Sequence, residues 1–413
     1  MSSTAVDRFD PMSPSFAAER FALMSELRAQ APAVFVPGIG MWAVTGYDAV
    51  REVLGDEERF PAGGGYNALR HLSAEARAVY PVDGPLFAYA VISTDDPLHA
   101  RLRAPMTAAF SPRRVQALDA VVRADAEQIA GQVAARVQEQ GQAVDLYEQV
   151  CRRLPPRTIC RVFGLPVEEA PRFSAWSASF IALQVPGLPI EAQVQAMTDI
   201  AEFDAYVRDI VTGDLSGLDD GVLRTLVEGR RDGTCDLTED ELVGNLANVL
   251  FAGHETTVGT MSNMLVRLLR DRDHWAALAA GADPAPLLEE LLRIDTSVMG
   301  LFRSTAAATR VDGVEVPAGA PLWVAFGAAN RDPRAFDRPD EVLLDRPRTP
   351  VPLTWGHGAH YCIGTALARQ QLRAVMTALP RACPALHLVG DVVEVPNHIA
   401  RVSVAIPAGR QQP

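Results

Sequence analysis

Residues 355–364 read Trp-Gly-His-Gly-Ala-His-Tyr-Cys-Ile-Gly, and they are the most informative stretch of this chain. Cys362 follows a run of small residues and two histidines, and Gly364 and a helical pattern over residues 365–379 come after it. A thiolate can be an axial iron ligand, and nearby glycines let a flat macrocycle approach the backbone closely. The first amide N–H groups of the following helix would stabilise the thiolate. The alternative is an ordinary buried cysteine beside a glycine-rich turn.

A second motif lies in the middle of a long predicted helix. Thr238 and Glu241 form a capping-box pattern, and residues 242–269 are largely apolar, which predicts a helix through the centre of the protein. Its middle reads Ala-Gly-His-Glu-Thr-Thr at residues 252–257. Glycine costs about 1 kcal/mol relative to alanine there, and threonine can bond to the carbonyl one turn back. The alternative is a tight helix crossing at the Ala-Gly pair and a satisfied core hydroxyl at the first threonine.

Both motifs resemble those of the cytochrome P450 heme-thiolate monooxygenases, whose cysteine loop has the order aromatic-Gly-x-Gly-x-His-x-Cys-x-Gly. The resemblance extends from about Asp96 to the end of the chain. It implies a mainly α fold with small β-sheets, a single domain over residues 1–413 and a long central helix over a buried heme b. Trp355 stands where the family usually has Phe, and an indole can stack on the heme and also offer an N–H.

The resemblance assigns the chemistry to three residues. Cys362 is the axial ligand of the heme iron, and its thiolate supplies the electron push that favours O–O cleavage. Glu255 and Thr256 are the catalytic pair, in which the threonine hydroxyl holds dioxygen and the glutamate delivers protons through ordered water. His254, just before this pair, is expected at the surface or in a channel.

The remaining predicted site residues contact the macrocycle. Its propionates need cationic or hydrogen-bonding partners, and Arg meets a carboxylate bidentately. His99 and Arg103 share a helix face and match the family's propionate partners, as do Arg303 and His360. The other expected heme contacts are Ala252, Gly253, Trp355, Gly356 and Gly364.

A Glu-x-x-Arg pair is predicted to fix the segment that carries the cysteine loop. Glu290 and Arg293 are one turn apart on a predicted helix, and the resemblance adds Arg346 from a later loop. Removing one partner of a buried pair leaves an uncompensated charge and costs roughly 3–5 kcal/mol. The expected role of these residues is therefore structural.

Composition argues against several classes of protein. The chain is 48% hydrophobic and 22% charged, which allows a large core, and its net charge of −13 argues against binding nucleic acid. The N-terminal residues do not resemble a signal peptide, and no apolar run reaches the roughly 18 residues of a membrane span. The five cysteines have irregular spacing, so no disulfide framework is implied. The sequence predicts a cytoplasmic protein with reduced thiols and no membrane association.

The rest of the pattern is helical with short strands. Residues 34–36 and 41–44 are predicted to form a hairpin. Residues 98–268 have a helical pattern with several breaks at proline and glycine. Short strands are predicted over residues 309–324, around the Asp312-Gly313 turn, and over residues 392–406.

The resemblance also implies the partners of a monomeric enzyme. The substrate is expected to be an apolar or aromatic small molecule, and dioxygen is the co-substrate. No flavin, nicotinamide or iron–sulfur module fits in the rest of the chain, so electrons are expected from a separate ferredoxin and ferredoxin reductase. A local basic surface would attract an acidic ferredoxin, although ordinary solvated arginines are the alternative. The candidate residues are Arg101, Arg113, Arg114, Arg369 and Arg373.

The substrate pocket is expected to be lined by several segments around the central helix. Residues 173–183 are small, aromatic and uncharged, which favours an apolar or aromatic substrate of moderate size, although about half of the stripe is expected to be core packing. The expected lining segments are residues 66–89, 173–190 and 296–301, the central helix and the Asn397-His398 turn.

Two other functions remain open beside a monooxygenase of secondary or xenobiotic metabolism. One is a peroxide-driven peroxygenase, whose chemistry does not need Glu255 and Thr256. The other is a non-catalytic heme protein that binds a gas or ligand as a sensor. The lack of an accompanying regulatory segment argues against this function.

Overall fold

The computed structural model describes residues 4–13, 15–63, 69, 72–183, 187–395 and 397–410, which form parts of two compact units. Unit 1 comprises residues 1–66, 121–151 and 256–413, and unit 2 comprises residues 67–120 and 152–255. All strands of the described residues belong to unit 1, whereas unit 2 is helical. The predicted mainly α architecture with small sheets is confirmed. The single domain over residues 1–413 stays a prediction.

Helices dominate the described residues, and short 3₁₀ and π turns connect several of them. The α-helices of this part of the chain are α1 (Ala5–Arg8), α2 (Phe16–Gln30), α3 (Tyr47–Gly55), α4 (Ala74–Val79), α5 (Pro85–Ala88), α6 (Leu98–Ala109), α7 (Pro112–Ala117), α8 (Asp119–Ala134), α9 (Leu154–Phe163), α10 (Ala170–Ala182), α11 (Ile190–Thr212), α12 (Val222–Asp232), α13 (Glu239–Arg270), α14 (Arg272–Ala279), α15 (Ala285–Ile294), α16 (Phe326–Ala329) and α17 (Thr365–Ala382).

The strands of unit 1 form small sheets. They are β1 (Ala33–Val36), β2 (Met41–Val44), β3 (Val144–Asp145), β4 (Leu301–Ser304), β5 (Thr309–Val311), β6 (Val314–Val316), β7 (Pro321–Val324), β8 (Leu386–Leu388), β9 (Val393–Glu394), β10 (Ser403–Ala405) and β11 (Pro407–Arg410). A four-stranded sheet has the order β1-β2-β7-β4, with β2 and β7 parallel and the other neighbours antiparallel. A three-stranded sheet has the order β3-β11-β8, and β5-β6 and β9-β10 form two-stranded sheets.

Both faces of the four-stranded sheet are buried. Leu322 and Val324 of β7 belong to one apolar cluster, whereas Trp323 between them belongs to another. Alternate side chains of a strand point to opposite faces, so the two clusters cover the two sides of the sheet. The second cluster includes Phe9 and Phe16 from the N-terminal segment. This packing gives strand β4, at the edge of the sheet, a rigid neighbour in β7.

Helix α13 begins at its predicted capping box. The Glu241 amide donates to the Thr238 hydroxyl at 3.3 Å, and the Thr238 amide donates to the Glu241 carboxylate at 2.9 Å. Arg101 donates to both oxygens of this carboxylate. Burial raises the pKa of Glu241, but the Thr238 amide and the Arg101 guanidinium outweigh it and hold this pKa below its ordinary value. The cap therefore fixes the first turn of a helix of 32 residues.

The N-terminal part of α13, up to residue 255, packs closely inside unit 2. A Cβ on Gly244 would lie 2.1 Å from the Pro85 carbonyl oxygen, so only glycine allows this approach to α5. The buried amide of Asn245 donates to the Leu102 carbonyl of α6 at 2.7 Å. These contacts fix the rotation of α13 about its own axis within unit 2.

A buried ion pair in unit 1 holds the segment that precedes the cysteine loop. Arg293, whose side chain is 0% exposed, donates to Glu290 through Nε at 3.0 Å and Nη2 at 2.9 Å. Arg346 donates to the same carboxylate at 2.8 Å, so the predicted group of three is confirmed. Arg293 also donates to three carbonyl oxygens, those of Asn330, Pro339 and Glu341.

Replacing Glu290 by Ala should lower the free energy of unfolding by roughly 3–5 kcal/mol, because the Arg293 charge loses its buried partner. Burial raises the pKa of Glu290, but Arg293, the Leu343 amide and Arg346 outweigh burial and lower this pKa below its ordinary value of 4.5. The ionised carboxylate therefore stabilises the fold above pH 4.5. This contribution is lost as the pH falls through the lower pKa of the folded protein. The difference between wild type and variant in chemical denaturation should shrink in acid.

Glu289→Ala is the matched control, because Glu289 precedes Glu290 on α15 but is 55% exposed and pairs with Arg369 at the surface. Exposed ion pairs contribute about 0–1 kcal/mol, so we expect a loss below about 1 kcal/mol. Equal losses in the two variants would contradict the structural role of the buried pair.

Candidate active site

The cysteine loop turns back on itself at two glycines. Gly356 and Gly358 have φ values of +75° and +73°, in the region that favours glycine. A Cβ on Gly358 would lie 2.4 Å from the Leu54 carbonyl oxygen of α3, so no larger residue fits there. The Cys362 amide donates to the Trp355 carbonyl at 2.9 Å and closes the loop. The backbone therefore fixes the point from which the Cys362 side chain projects.

Cys362 is exposed, unlike the other four cysteines. Cys151, Cys160 and Cys383 are buried, and Cys235 is partly buried. Burial raises the pKa of Cys160 to about 12 and that of Cys383 to about 11, and it raises the pKa of Cys151 well above its ordinary value. These three thiols stay protonated at neutral pH, and a protonated thiol is a poor metal ligand. Cys362 is therefore the cysteine that is placed to bind a group from outside the chain.

Helix α17 begins three residues after Cys362, as predicted, and it continues to Ala382. The Thr365 hydroxyl donates to the Cys362 carbonyl at 2.7 Å. A Cβ on Gly364 would lie 3.8 Å from the Cys362 Sγ, so the sulfur lies beside the start of the helix. First-turn amide N–H groups have no acceptor within the helix and favour a nearby negative charge. The local geometry thus suits a thiolate.

Arg369 connects the cysteine loop to the surface of unit 1. Its guanidinium carbon lies 5.0 Å from the centroid of the Trp355 ring, and its Nε and Nη2 donate to Glu289 at 2.7 and 2.9 Å. Burial lowers the pKa of Arg369, but Glu289 and Tyr361 outweigh it and raise this pKa above its ordinary value. A charged guanidinium over the indole stabilises the ring position. Sequence spacing gave no signal for this contact.

Unit 1 contains two of the four predicted propionate partners. Arg303 lies in β4 and is 2% exposed, and its Nη1 donates to the Phe302 carbonyl at 2.9 Å. His360 ends a short 3₁₀ turn, its side chain is 8% exposed, and its Nε2 lies 3.9 Å from the Glu57 carboxylate. Both side chains are largely withdrawn from bulk water. Charge-assisted hydrogen bonds are stronger in such an environment than in water.

Unit 2 contains the other two, His99 and Arg103, on helix α6. They are one turn apart and share a helix face, as predicted. His99 is 2% exposed, and its Nδ1 lies 3.6 Å from the Asp96 carboxylate, whereas Arg103 is partly exposed. The pair therefore combines a buried imidazole with a partly exposed guanidinium.

Two residues in the middle of α13 are exposed. Ala252 and Thr256 are one turn apart, whereas the neighbouring His254 and Thr257 are 1% and 4% exposed. This long helix is otherwise largely buried, yet it exposes a small residue and a hydroxyl on one face. Their exposure indicates a space beside that face. The helix thus leaves uncovered the positions that the sequence predicted to face the cofactor and dioxygen.

The residues between these two positions pack inside unit 2. A Cβ on Gly253 would lie 2.4 Å from the Ile159 Cδ1 of α9, so the tight helix crossing considered from the sequence is present. His254, expected at the surface or in a channel, is buried instead, and its ring bonds to Ser177 of α10. The Glu255 side chain is 17% exposed. The sequence missed this burial because the helical pattern does not show which face α10 covers.

The chemistry of these side chains fits a heme with a thiolate ligand. Cys362 offers an exposed sulfur on a fixed backbone. Ala252 and Thr256 leave one helix face uncovered. The four cationic or imidazole side chains described above can meet carboxylates. An iron porphyrin with two propionates needs a soft axial ligand, a sterically open face and cationic partners, and the described residues include all three kinds.

Part of the predicted aromatic stripe of α10 is core packing, as expected. Phe173 and Trp176 are 1% and 4% exposed, and both pack against Phe203 of α11 with ring centroids 6.1 and 5.1 Å apart. These contacts hold α10 against α11 and account for much of the burial of both rings.

Three other rings of unit 2 form an aromatic cluster that we call the aromatic trio, Phe87, Phe180 and Phe251. Phe180 of α10 lies 4.3 Å from Phe251 of α13 and stacks on Phe87 of α5 at 6.0 Å, measured between ring centroids. All three are partly exposed. A cavity of about 10 Å³ is lined by Phe180 and Phe251 of the trio and also by Trp176 and Phe203. Of the predicted lining segments, residues 66–68, 70, 71 and 184–186 lie outside the described residues.

The predicted Asn397-His398 turn packs on the four-stranded sheet. Asn397 accepts the Ile399 amide at 2.7 Å, and the His398 ring lies 5.4 Å from Trp323 and 6.5 Å from Phe302. Burial lowers the pKa of His398 to about 4. His398 is therefore neutral at physiological pH and presents no charge to a ligand.

A separate cavity of about 480 Å³ in unit 1 lies at the C-terminal end of α13. Its described lining is charged, and Arg267 and Arg401 both pair with Asp295, whose side chain is 0% exposed. These charges satisfy one another, and none of the described lining residues is aromatic. This cavity does not suit an apolar substrate, so it is not the candidate active site.

The fold and these residues define a heme-thiolate protein, and comparison with known proteins identifies its family. The cytochrome P450 family model matches residues 207–283 and 286–384. The chain is 34% identical to cytochrome P450 107B1 of Saccharopolyspora erythraea over 86% of this chain and 85% of that protein. It is 32% identical to the cytochrome P450 monooxygenase PikC of Streptomyces venezuelae over 95% of this chain and 91% of that protein. The chain belongs to the cytochrome P450 family.

Solved structures agree with this assignment. Cytochrome P450 CREJ, in complex with (4-ethylphenyl) dihydrogen phosphate, has a TM-score of 0.87 at 28% identity and covers 98% of both chains. The protein is therefore a bacterial-type cytochrome P450 monooxygenase that binds heme b and acts on a small molecule with dioxygen. Among the described helices, none combines the length and apolar character of a membrane span.

Proposed function

We propose that this cytochrome P450 takes electrons from a separate ferredoxin and ferredoxin reductase and oxidises an apolar or aromatic small molecule of secondary metabolism. The observation that carries the proposal is the exposed Cys362 on its glycine-fixed loop, in a chain whose other cysteines are buried or partly buried. The solved relative CREJ holds a substituted phenyl compound, which supports an aromatic substrate class.

Heme b, when bound, supplies the reductive activation of dioxygen, and the protein supplies the environment. Cys362 would hold the heme iron as a thiolate, and the first turn of α17 would stabilise that charge. Trp355, Gly356, Gly364, Ala252 and the backbone of Gly253 would contact the macrocycle. Its propionates would be bound by His99, Arg103, Arg303 and His360.

Proton delivery is assigned to Glu255 and Thr256. Thr256 is exposed on the helix face that Ala252 shares, so its hydroxyl can bond to dioxygen in the space beside α13. Glu255 is the next residue along the helix, and its partly exposed carboxyl group can exchange protons with water. The two residues thus have separate tasks. The hydroxyl positions dioxygen, and the carboxyl group supplies protons.

Replacing Cys362 by Ala should abolish the thiolate-type spectrum of the reduced, carbon-monoxide-bound protein, because the axial sulfur is lost. Cys151→Ala, Cys160→Ala, Cys235→Ala and Cys383→Ala should all retain it. The measurement is the absorption spectrum at matched heme content. Retention of the thiolate spectrum by the Cys362 variant would overturn the assignment of the ligand.

Thr256→Ala should still consume dioxygen but release most of the electrons as peroxide, because protons no longer reach dioxygen in the required order. General acid–base groups contribute roughly 10²–10⁴-fold, so product per electron pair should fall by at least about tenfold. Thr257→Ala is the matched control, since this neighbouring hydroxyl is 4% exposed and faces the core. Wild-type coupling in the Thr256 variant would rule out its role.

The aromatic trio supports a substrate with a planar apolar part. Its three rings are partly exposed in unit 2 and leave edges and faces for further aromatic contact. Such contacts contribute about 0.5–1.5 kcal/mol beyond the area they bury. The trio is therefore the part of unit 2 that we assign to substrate recognition.

Phe180→Ala should raise the dissociation constant of aromatic ligands by about 2- to 10-fold, measured by optical titration against a panel of aromatic and aliphatic compounds. Ile181→Ala is the control, because Ile181 follows Phe180 on α10 and is 38% exposed. If Phe180→Ala left aromatic binding unchanged, the trio would have no part in recognition.

The expected ferredoxin surface is smaller than the sequence predicted. Arg101 is engaged by Glu241, and Arg369 is engaged by Glu289, so two of the five candidate arginines are already paired. Arg114 donates to the Thr225 hydroxyl at 2.9 Å. Arg113 in unit 2 and Arg373 in unit 1 are exposed, and Arg373 is the candidate that we assign to docking.

Arg373→Glu should slow reduction by an acidic ferredoxin about 3- to 10-fold at low salt, because it reverses a charge on the docking surface, and the effect should fade at high salt. Arg310→Glu is the control, since Arg310 lies in β5 and is 69% exposed. Equal slowing by both variants would show a net-charge effect and would contradict docking at Arg373. The measurement is the rate of reduction in stopped flow.

A further inference from the structure

His254 lies in a polar cluster of unit 2 that the mechanism above does not use. Its side chain is 1% exposed and extends from α13 to α10. Nδ1 lies 2.8 Å from the Leu250 carbonyl oxygen, and Nε2 lies 2.9 Å from the Ser177 Oγ. Nε2 also lies 3.3 Å from the Glu255 Oε1. A buried imidazole therefore touches the carboxyl group to which we assign proton delivery.

The Leu250 carbonyl fixes the tautomer of His254. A carbonyl oxygen only accepts hydrogen bonds, so Nδ1 carries a hydrogen in every protonation state of the ring. The neutral ring therefore has a bare Nε2, and Nε2 is the ring atom that gains or loses a proton. The two groups next to this atom are the Ser177 hydroxyl and the Glu255 carboxyl group.

A bare Nε2 and an ionised Glu255 would face each other as two acceptors. One proton resolves the conflict, either on Glu255, which then donates to Nε2, or on Nε2, which then forms an ion pair with the carboxylate. The Ser177 hydroxyl can adapt, because it rotates to accept from a protonated Nε2 or to donate to a bare Nε2 that Glu255 does not engage. The cluster is therefore built to hold one proton in either of two places.

We propose that His254 is a positioning residue that stores a proton for Glu255 during the activation of dioxygen, an inference that rests on the function proposed above. At rest the shared proton is on Nε2 and Glu255 is a carboxylate. The Nε2–H bond then breaks as an O–H bond forms on Glu255, and that O–H bond breaks when Glu255 passes the proton on and becomes a carboxylate again. The Ser177 hydroxyl turns to donate to the bare Nε2. No electrons move in these steps.

Water restores the store. A proton that enters at the partly exposed Glu255 passes to Nε2, so one proton enters for each proton delivered. His254 is 1% exposed, so it would hold a proton beside Glu255 in a buried part of unit 2.

The position of the proton can be read without turnover. The reduced, carbon-monoxide-bound holoenzyme is diamagnetic, and ¹⁵N-histidine labelling gives the signals of both ring nitrogens, assigned by their loss in His254→Asn. We expect Nδ1 to carry a hydrogen and Nε2 to respond to Glu255→Gln, since the amide cannot transfer a proton. An Nδ1 without hydrogen, or an Nε2 signal unchanged by Glu255→Gln, would overturn the proposal.

Electron coupling tests the same proposal in the working enzyme. His254→Asn retains an amide N–H near Nδ1 but lacks Nε2, and His254→Gln extends an amide towards Nε2 that cannot take a proton. Both variants should raise the share of electrons released as peroxide, by about 3- to 10-fold, at unchanged heme content and substrate affinity. If His254→Gln restores wild-type coupling, a hydrogen bond alone is sufficient and no proton is stored.

The serines of α10 provide a matched pair of controls. Ser177→Ala removes the hydroxyl that reorients when Nε2 gains or loses its proton. Like the His254 variants, it should raise peroxide release. Ser174→Ala removes a hydroxyl from a residue that is 6% exposed one turn earlier, and it should leave coupling unchanged. Equal effects of the two serine variants would indicate a general packing defect and would contradict the proposal.

The two proposals fail in different ways. A wild-type protein that shows no thiolate spectrum or oxidises no substrate would overturn the proposed function, whatever the nitrogen signals of His254. A wild-type enzyme that couples electrons to product normally, together with fully coupled His254 variants, would overturn the proton store alone.

Discussion

The buried charge of Arg293 is the constraint on which the cysteine loop depends. A guanidinium in the interior is tolerated only when its donors are satisfied, and three of its acceptors are backbone carbonyls of residues 330–341. One of these residues, Asn330, also uses its side chain, which accepts the Leu353 amide at 2.6 Å and donates to the Thr354 hydroxyl at 3.0 Å. The loop begins at this point. A single buried cation thus determines where Cys362 is presented.

Ligand choice in this chain follows from burial as much as from motif. A thiol in the core keeps its proton, so Cys151, Cys160 and Cys383 are excluded as anionic ligands by the packing around them. Cys362 projects from a loop whose glycines bring the backbone against α3. A similar separation appears on α13, where Ala252 and Thr256 are exposed, Glu255 is partly exposed and His254 is buried. The core thus leaves uncovered both Cys362 and the helix face of Ala252 and Thr256.

Local patterns in the sequence predicted local structure well. The capping box at Thr238, the Glu290–Arg293 pair and the β5–β6 hairpin around Asp312 each depend on residues a few positions apart, and all three are present. Strand β3 was not predicted, because it pairs with β11 from the far end of the chain and two residues carry no periodicity. The burial of His254 was missed for a similar reason, since it depends on a distant helix.

Arg369 contacts residues 289 and 355, so a substitution at any of the positions 289, 355 and 369 affects the other two. Glu289 holds one side of its guanidinium and the indole of Trp355 borders the other. A smaller residue at position 355 removes a contact of the cation and alters how tightly it is held at the surface. In laboratory evolution, a library that varies position 355 alone therefore changes the side chain of the cysteine loop and the support of the Arg369 guanidinium together, whereas a library that varies all three positions allows the two properties to be selected separately.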